Sequence, residues 1–154
     1  MPSANADVSV IVPAYNAAGT IKRAINSIAA QSLMPLEVIV VDDGSDDGTY
    51  NVAWDCAAML GSIKLKVLQQ INLGAGAARN LALSEATGLY VAFLDADDEW
   101  LPTKLERSLP YLDEPGIVLV AHNNLHFEAG KESINDSARR FKESRVPFVG
   151  LYRK

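Results

Sequence analysis

The sequence predicts an α/β protein with a doubly wound, mainly parallel sheet and helices on both faces. Three observations predict it. Short β-branched runs alternate with helical patterns through the first 120 residues. Glycine and proline punctuate the joins. Polar motifs follow the first, second and fourth runs, at the carboxyl ends of strands, where ligands of such sheets bind.

The elements follow in order. Val8–Val12 is a β-branched run ending at Pro13 and reads as a buried strand. Thr20 is placed to cap a helix carrying Ile21, Ala24, Ile25, Ile28 and Ala29 on one face, and Pro35 falls past its end. Glu37–Val41 reads as the second strand. It runs into Asp42–Thr49, a loop in which Ser45 and Asp46 are candidate caps for a helix reaching Leu60 and stopped by Gly61. Lys64–Leu68 is the third strand. A small-residue helix runs from Gly74 to Ala86, with Gly88 beyond its end. Leu89–Leu94 is the fourth strand, Leu101-Pro102 opens a helix through Leu112, and Gly116–Ala121 is a fifth strand extending toward Phe127. Residues 128–145 are polar and weakly patterned, a loop or a marginal helix.

The chain has 154 residues, 49% hydrophobic and 21% charged, which suits one domain (1–154) with a real core. No apolar run approaches the roughly 20 residues of a membrane span. Residues 1–7 lack the basic region and apolar stretch of a signal peptide, so a cytoplasmic protein is expected. Cys56 is the only cysteine, which excludes a disulfide framework and a thiolate metal site; its apolar neighbours make it a buried structural residue. The net charge of −5 argues against nucleic-acid binding. The charge is uneven. Residues 139–154 hold six basic residues and one acid, leaving the first 138 at −10. This basic tail reads as a solvated segment, or as one drawn to an anionic membrane surface or a lipid diphosphate.

The acidic run Asp95-Ala96-Asp97-Asp98 directly follows the fourth apolar strand. Three carboxylates within four residues repel one another and need a cation or water between them. Such a cluster suits a hard divalent ion, Mg²⁺ or Mn²⁺, completed by phosphate oxygens. Pro13-Ala14-Tyr15-Asn16 follows strand one: Tyr15 can stack on a base and Asn16 can bond a polar group, though the composition is also that of a common turn. Asp42 and Asp43 follow strand two, and capping does not account for both. Gly74-x-Gly76 stands at a helix start, with Arg79 placed to face a diphosphate. It lacks the third glycine of a dinucleotide fingerprint and the Gly-Lys-Ser/Thr of a phosphate-binding loop. His122 and His126, four apart, read as surface or core histidines without metal partners.

Taken together, Val-Ser-Val-Ile-Val-Pro-Ala-Tyr-Asn, Val-Asp-Asp-Gly-Ser-x-Asp-Gly-Thr, Asn-x-Gly-x-Gly-x-Ala-Arg-Asn and Phe-Leu-Asp-Ala-Asp-Asp occur in this order. Over residues 7–127 the chain resembles the family 2 glycosyltransferases of GT-A fold, most of all bacterial enzymes of exopolysaccharide, lipopolysaccharide or capsule synthesis. The resemblance implies a nucleotide-diphosphate sugar donor, commonly a UDP-sugar, a divalent metal (Mg or Mn), and inverting transfer to a saccharide or lipid-linked acceptor, with possible peripheral contact at the inner face of the membrane. It implies that Pro13, Ala14 and Tyr15 line the nucleoside pocket, that Asp43 reads the base and that Arg79 lies near the nucleotide. Asp95, Asp97 and Asp98 become the DXD region, with Asp97 and Asp98 the ribose and metal contacts. The family's general base lies well downstream of that region. Only 56 residues follow Asp98, and Glu128, Glu132 and Asp136 stand in no matching context. The expectation is therefore a donor-binding part of a longer enzyme, with its base outside these residues. Two other classes stay open: a non-catalytic domain of the same fold serving assembly, and a sugar-nucleotide nucleotidyltransferase, whose Gly-rich basic motif after strand one is missing here. A signalling receiver domain fits worse, because its acidic pair should follow strand one.

Overall fold

The computed structural model describes residues 5–122, 124–128, 131–135 and 151–153. The strands are β1 (Ala6–Ala14), β2 (Pro35–Asp42), β3 (Lys64–Gln69), β4 (Tyr90–Phe93), β5 (Leu119–Val120), β6 (Asn124–Glu128), β7 (Lys131–Asn135) and β8 (Leu151–Arg153). The helices are α1 (Ile21–Ala29), α2 (Thr49–Asp55), α3 (Ala75–Glu85) and α4 (Lys104–Leu112), and a 3₁₀ turn over Cys56–Met59 continues α2.

One sheet has the order β3-β2-β1-β4-β8-β5. The pairs β3·β2, β2·β1 and β1·β4 are parallel; β8 pairs antiparallel with both β4 and β5. The chain steps outward from β1 to β2 and β3, then crosses back to place β4 on the other side of β1. Crossovers keep one hand, so reversing direction moves the connecting helix to the opposite face. Helix α3 accordingly packs apart from α1, α2 and α4. On its face, Ala78, Ala82 and Ala86 form a methyl-wide stripe against Ile11, Ile39, Val41 and Val91. On the other face, Ile21, Ala24, Ile25 and Ile28 of α1 meet Val8, Val10, Val12, Val38 and Val40, with Leu105 and Leu112 of α4. β1 and β2 are thus covered on both sides, which is why they are continuous apolar runs.

The doubly wound expectation holds, and each predicted helix and the first four strands are present. Four local readings need correction. The fifth strand is only Leu119–Val120. The stretch toward Phe127 belongs instead to β6, which pairs with β7 as a separate antiparallel hairpin, so part of the polar 128–145 segment is strand. Thr20 precedes α1 without capping it; its hydroxyl donates to the Ala17 carbonyl at 3.3 Å. Ser45 and Asp46 do not cap α2, which opens at Gly48. Cys56 is buried as expected, and burial raises its thiol pKa. Of the basic stretch 139–154, only Leu151–Arg153 is described, and its backbone joins the sheet as β8. The His126 side chain and Asp136 lie outside what is described. Among the described residues, no helix is long and apolar enough to cross a membrane.

Candidate functional site

Where the winding reverses, the loops leaving β1 and β4 part company and open a crevice at the carboxyl edge. A cavity of about 420 Å³ occupies this place, lined from four segments. Pro13, Ala14, Tyr15, Asn16, Ala17 and Thr20 come from the β1 exit and Asp43 from the β2 exit. Ala75 and Arg79 come from α3, and Asp95, Ala96 and Asp97 from the β4 exit. All seven residues expected at the nucleotide line this one space. Asp98 is exposed and not among the lining residues; its backbone N–H donates to the Asp95 carbonyl at 3.1 Å in a turn.

The β1 exit is a built turn. Asn16 adopts φ 47°, a left-handed conformation that asparagine tolerates. Its N–H donates to Ser45 Oγ at 2.9 Å, and its Oδ1 accepts the Asp46 N–H at 3.2 Å. Ser45 and Asp46 therefore fasten the first loop to the second. Asp47, which stands in the quoted motif but was given no role there, completes the tie. It accepts the Ala18 N–H at 2.9 Å and the Thr49 N–H at 3.0 Å, and hydrogen bonds chiefly from Thr49 and Ala18 lower its pKa. The spare acids of that loop were the signal, since four Asp residues in six positions exceed what capping needs.

Asp43 is 3% exposed and accepts three hydrogen bonds. Its Oδ1 takes Gln70 Nε2 at 2.6 Å and the Leu73 N–H at 2.8 Å; its Oδ2 takes the Gly74 N–H at 2.8 Å. Burial alone would raise its pKa, but these donors outweigh it and hold the carboxyl below its usual range. A carboxylate has about four acceptor positions, so one on Oδ2 is left for a ligand N–H. Gly74 needs its φ of 89° to aim that N–H. Gly44 is pressed so closely on the same loop that a Cβ would lie 2.8 Å from the Asn72 nitrogen. Asp43 thus stands in the cavity wall and also hangs the start of α3 from the end of β2.

From α3, Arg79 Nη2 donates to Asp95 Oδ1 at 2.5 Å. The pair links α3 to the β4 exit, and the Arg79 Nε is buried without a partner. Pairing with Arg79 removes part of the repulsion within the acidic run. Asp97 keeps an exposed carboxylate on the cavity wall. Among the described residues, no three His, Cys, Asp or Glu side chains gather as a metal cage. Mg²⁺ does not require one: it is commonly held by one or two carboxylates and completed by substrate phosphates and water. The donor set at Asp97, beside Asp95, fits that mode. His122 Nε2 lies 2.9 Å from Ser108 Oγ.

The family model for glycosyl transferase family 2 matches residues 9–152. The UDP-Glc:alpha-D-GlcNAc-diphosphoundecaprenol beta-1,3-glucosyltransferase WfgD of Escherichia coli is 36% identical over 133 residues, covering 85% of this chain and 48% of that protein. Among solved structures, S. aureus TarS 1–349 in complex with UDP-GlcNAc is 38% identical with a TM-score of 0.62, covering 69% of this chain and 31% of that one. The mannosyltransferase PcManGT of Pyrobaculum calidifontis, in complex with GDP-Man and Mn²⁺, is 33% identical with a TM-score of 0.69, covering 76% and 35%. The chain spans less than half the length of the curated relatives it matches. With its parallel core, its crevice at the reversal of winding and its motifs gathered there, the chain belongs to glycosyl transferase family 2 and has the GT-A fold.

Proposed function

We propose that this domain binds the donor of an inverting glycosyltransferase: a nucleotide-diphosphate sugar, most simply a UDP-sugar, together with Mg²⁺ or Mn²⁺. The observation that carries the reading is the single cavity shared by Tyr15, Asp43, Arg79, Asp95 and Asp97. Its lining combines two chemistries. Tyr15 offers an exposed ring for stacking, and Asp43 offers one unused acceptor for the N–H of a base. Arg79 brings a cation, and Asp95 and Asp97 bring carboxylates. A nucleoside diphosphate bound with a cation calls for both.

Asp97 would hold the cation, with Asp95 orienting a ribose hydroxyl or sharing the ion. A divalent cation there supplies neutralisation of the charge that builds on the departing diphosphate. Arg79 adds a fixed positive charge from the α3 side. The residue that deprotonates the acceptor hydroxyl is assigned to none of these. Asp43 is committed to three donors and Asp95 to Arg79, so neither is a free base. Acceptors of the saccharide or lipid-linked class are inferred from WfgD, whose name specifies a diphosphoundecaprenol-linked sugar.

Calorimetric titration of the chain with UDP and with GDP, each with and without Mn²⁺, tests the donor reading. UDP is expected to bind, more tightly with Mn²⁺; a folded chain that binds neither nucleotide in any condition overturns it. Asp97→Ala should remove the gain from Mn²⁺ and leave metal-free binding. A second reading, a domain of this fold that serves assembly without turnover, draws on the uncommitted base. A transfer assay with UDP-sugars and lipid-linked acceptors separates the two, and turnover by this chain excludes the second.

A further inference from the structure

Helix α1 carries Arg23 and Ser27 on one face, spaced i, i+4, and Gln31 follows just past its end. These three receive the chain as it leaves the acidic run. Gln31 Nε2 donates to the Leu101 carbonyl at 2.8 Å, and its Oε1 accepts the Leu105 N–H at 3.1 Å. Ser27 Oγ accepts the Trp100 N–H at 3.0 Å. Arg23, at the end nearest the cavity, makes the two contacts that reach the acidic run's own end. Its Nη2 donates to the Asp97 carbonyl at 3.0 Å, and its Nε pairs with Glu99 Oε1 at 2.8 Å. Ser27 and Gln31 are themselves buried. The contacts of Arg23 are exposed, and Arg23 is absent from the cavity wall.

From this geometry we infer that Arg23 is a positioning residue for the cation site proposed above: it sets the backbone at Asp97, and hence where the Asp97 carboxylate is presented. The planar guanidinium grips one residue through its backbone and another through its side chain, fixing the direction of the turn between them. It also places a positive charge behind three consecutive acids, Asp97, Asp98 and Glu99, which eases holding them close together. Groups that orient a metal ligand without touching the ion typically change metal affinity by about 10–100-fold when removed.

The inference rests on the donor reading, and one set of titrations separates their failures. UDP binding is measured with and without Mn²⁺ for the wild-type chain, Arg23→Ala, Arg23→Lys and Lys22→Ala. Lys22→Ala removes the same charge one position away on α1 and controls for net charge. Arg23→Ala is expected to shrink the Mn²⁺-dependent gain in affinity by about tenfold, with metal-free UDP binding and the melting temperature unchanged. Arg23→Lys should recover part of the gain, since an ammonium can make one of the two contacts. Lys22→Ala should match wild type. An Arg23→Ala chain that keeps the full Mn²⁺-dependent gain overturns the positioning role and leaves the donor reading standing. Equal loss in Lys22→Ala also overturns it, by reducing the effect to net charge. A wild-type chain whose UDP binding ignores Mn²⁺ overturns both the cation site and its positioning.

Discussion

At the scale of single residues, Asp43 shows how one carboxylate can serve fold and site together. It follows β2 and collects two backbone N–H groups and one side-chain amide from the 70–74 loop. Removing it strands three donors in a part-buried place, where each unmet donor costs about 1 kcal/mol, the low end of the range for buried groups. Asp43→Ala should therefore lower stability by about 3 kcal/mol, read from denaturant midpoints, as well as abolish UDP binding. Asp43→Asn, which keeps one oxygen, should lose less of both. That Asp43 mattered was legible in the sequence, because two adjacent acids at a strand exit exceed what a turn requires. Its internal partners were not, because Gln70, Leu73 and Gly74 lie about thirty positions on. Arg23 was illegible for the same reason: nothing local on α1 reveals which loop will cross it.

At the scale of elements, the opposite edge of the sheet is held by a buried carboxylate. Glu37 of β2 is 1% exposed, and its Oε1 accepts from Ser9 Oγ, the Thr87 N–H and Thr87 Oγ1, each at 2.7 Å. Lys66 Nζ stands 3.4 Å from Oε2. This ties β1, β2, β3 and the turn before β4 into one unit. Burial pushes the Glu37 pKa up, but the Thr87 and Ser9 bonds and the Lys66 charge outweigh it, leaving the group below its ordinary 4.5. A lowered folded value means stability that is present above pH 4.5 and lost as pH falls through the folded value. Glu37→Gln keeps an oxygen for the three donors and should flatten the stability profile below pH 4.5, followed by denaturation at a series of pH values. Strands β1, β2 and β4 were readable because burial on two faces writes unbroken apolar runs. The β6–β7 hairpin was not. Its one apolar cross-strand pair, Leu125 and Ile134, is exposed, so that pair writes no buried-face alternation into the sequence. β5 was overdrawn because Val118 is apolar yet 65% exposed, and because its partner β8 lies thirty residues on.

At the scale of the whole molecule, pH response outside the site gathers under α4. His122 faces Ser108, with Lys104 and Arg107 nearby. Burial, then those two charges, lowers its pKa to about 4 from 6.5. Lys104, whose ammonium lies 4.2 Å from the centre of the Trp100 ring, is lowered by burial to about 8. Between pH 6.5 and 4 the unfolded chain takes up a proton at His122 that the folded chain refuses. Stability from this group is thus complete above pH 6.5 and declines toward pH 4. His122→Asn should make that decline shallower, as measured by melting temperature across the interval. The same substitution should leave UDP affinity at pH 7 untouched, because His122 is not in the cavity wall.

The double duty of Asp43 also bears on engineering. A designer seeking a different nucleotide would turn first to the acid proposed to face the base, yet each exchange there loosens the start of α3, the helix that carries Arg79. Tyr15 and Ala75 carry no such debt to the scaffold: both line the cavity and both are exposed. Donor preference in this domain is therefore easier to retune at positions 15 and 75 than at position 43, and a library built on that asymmetry would keep far more of its members folded.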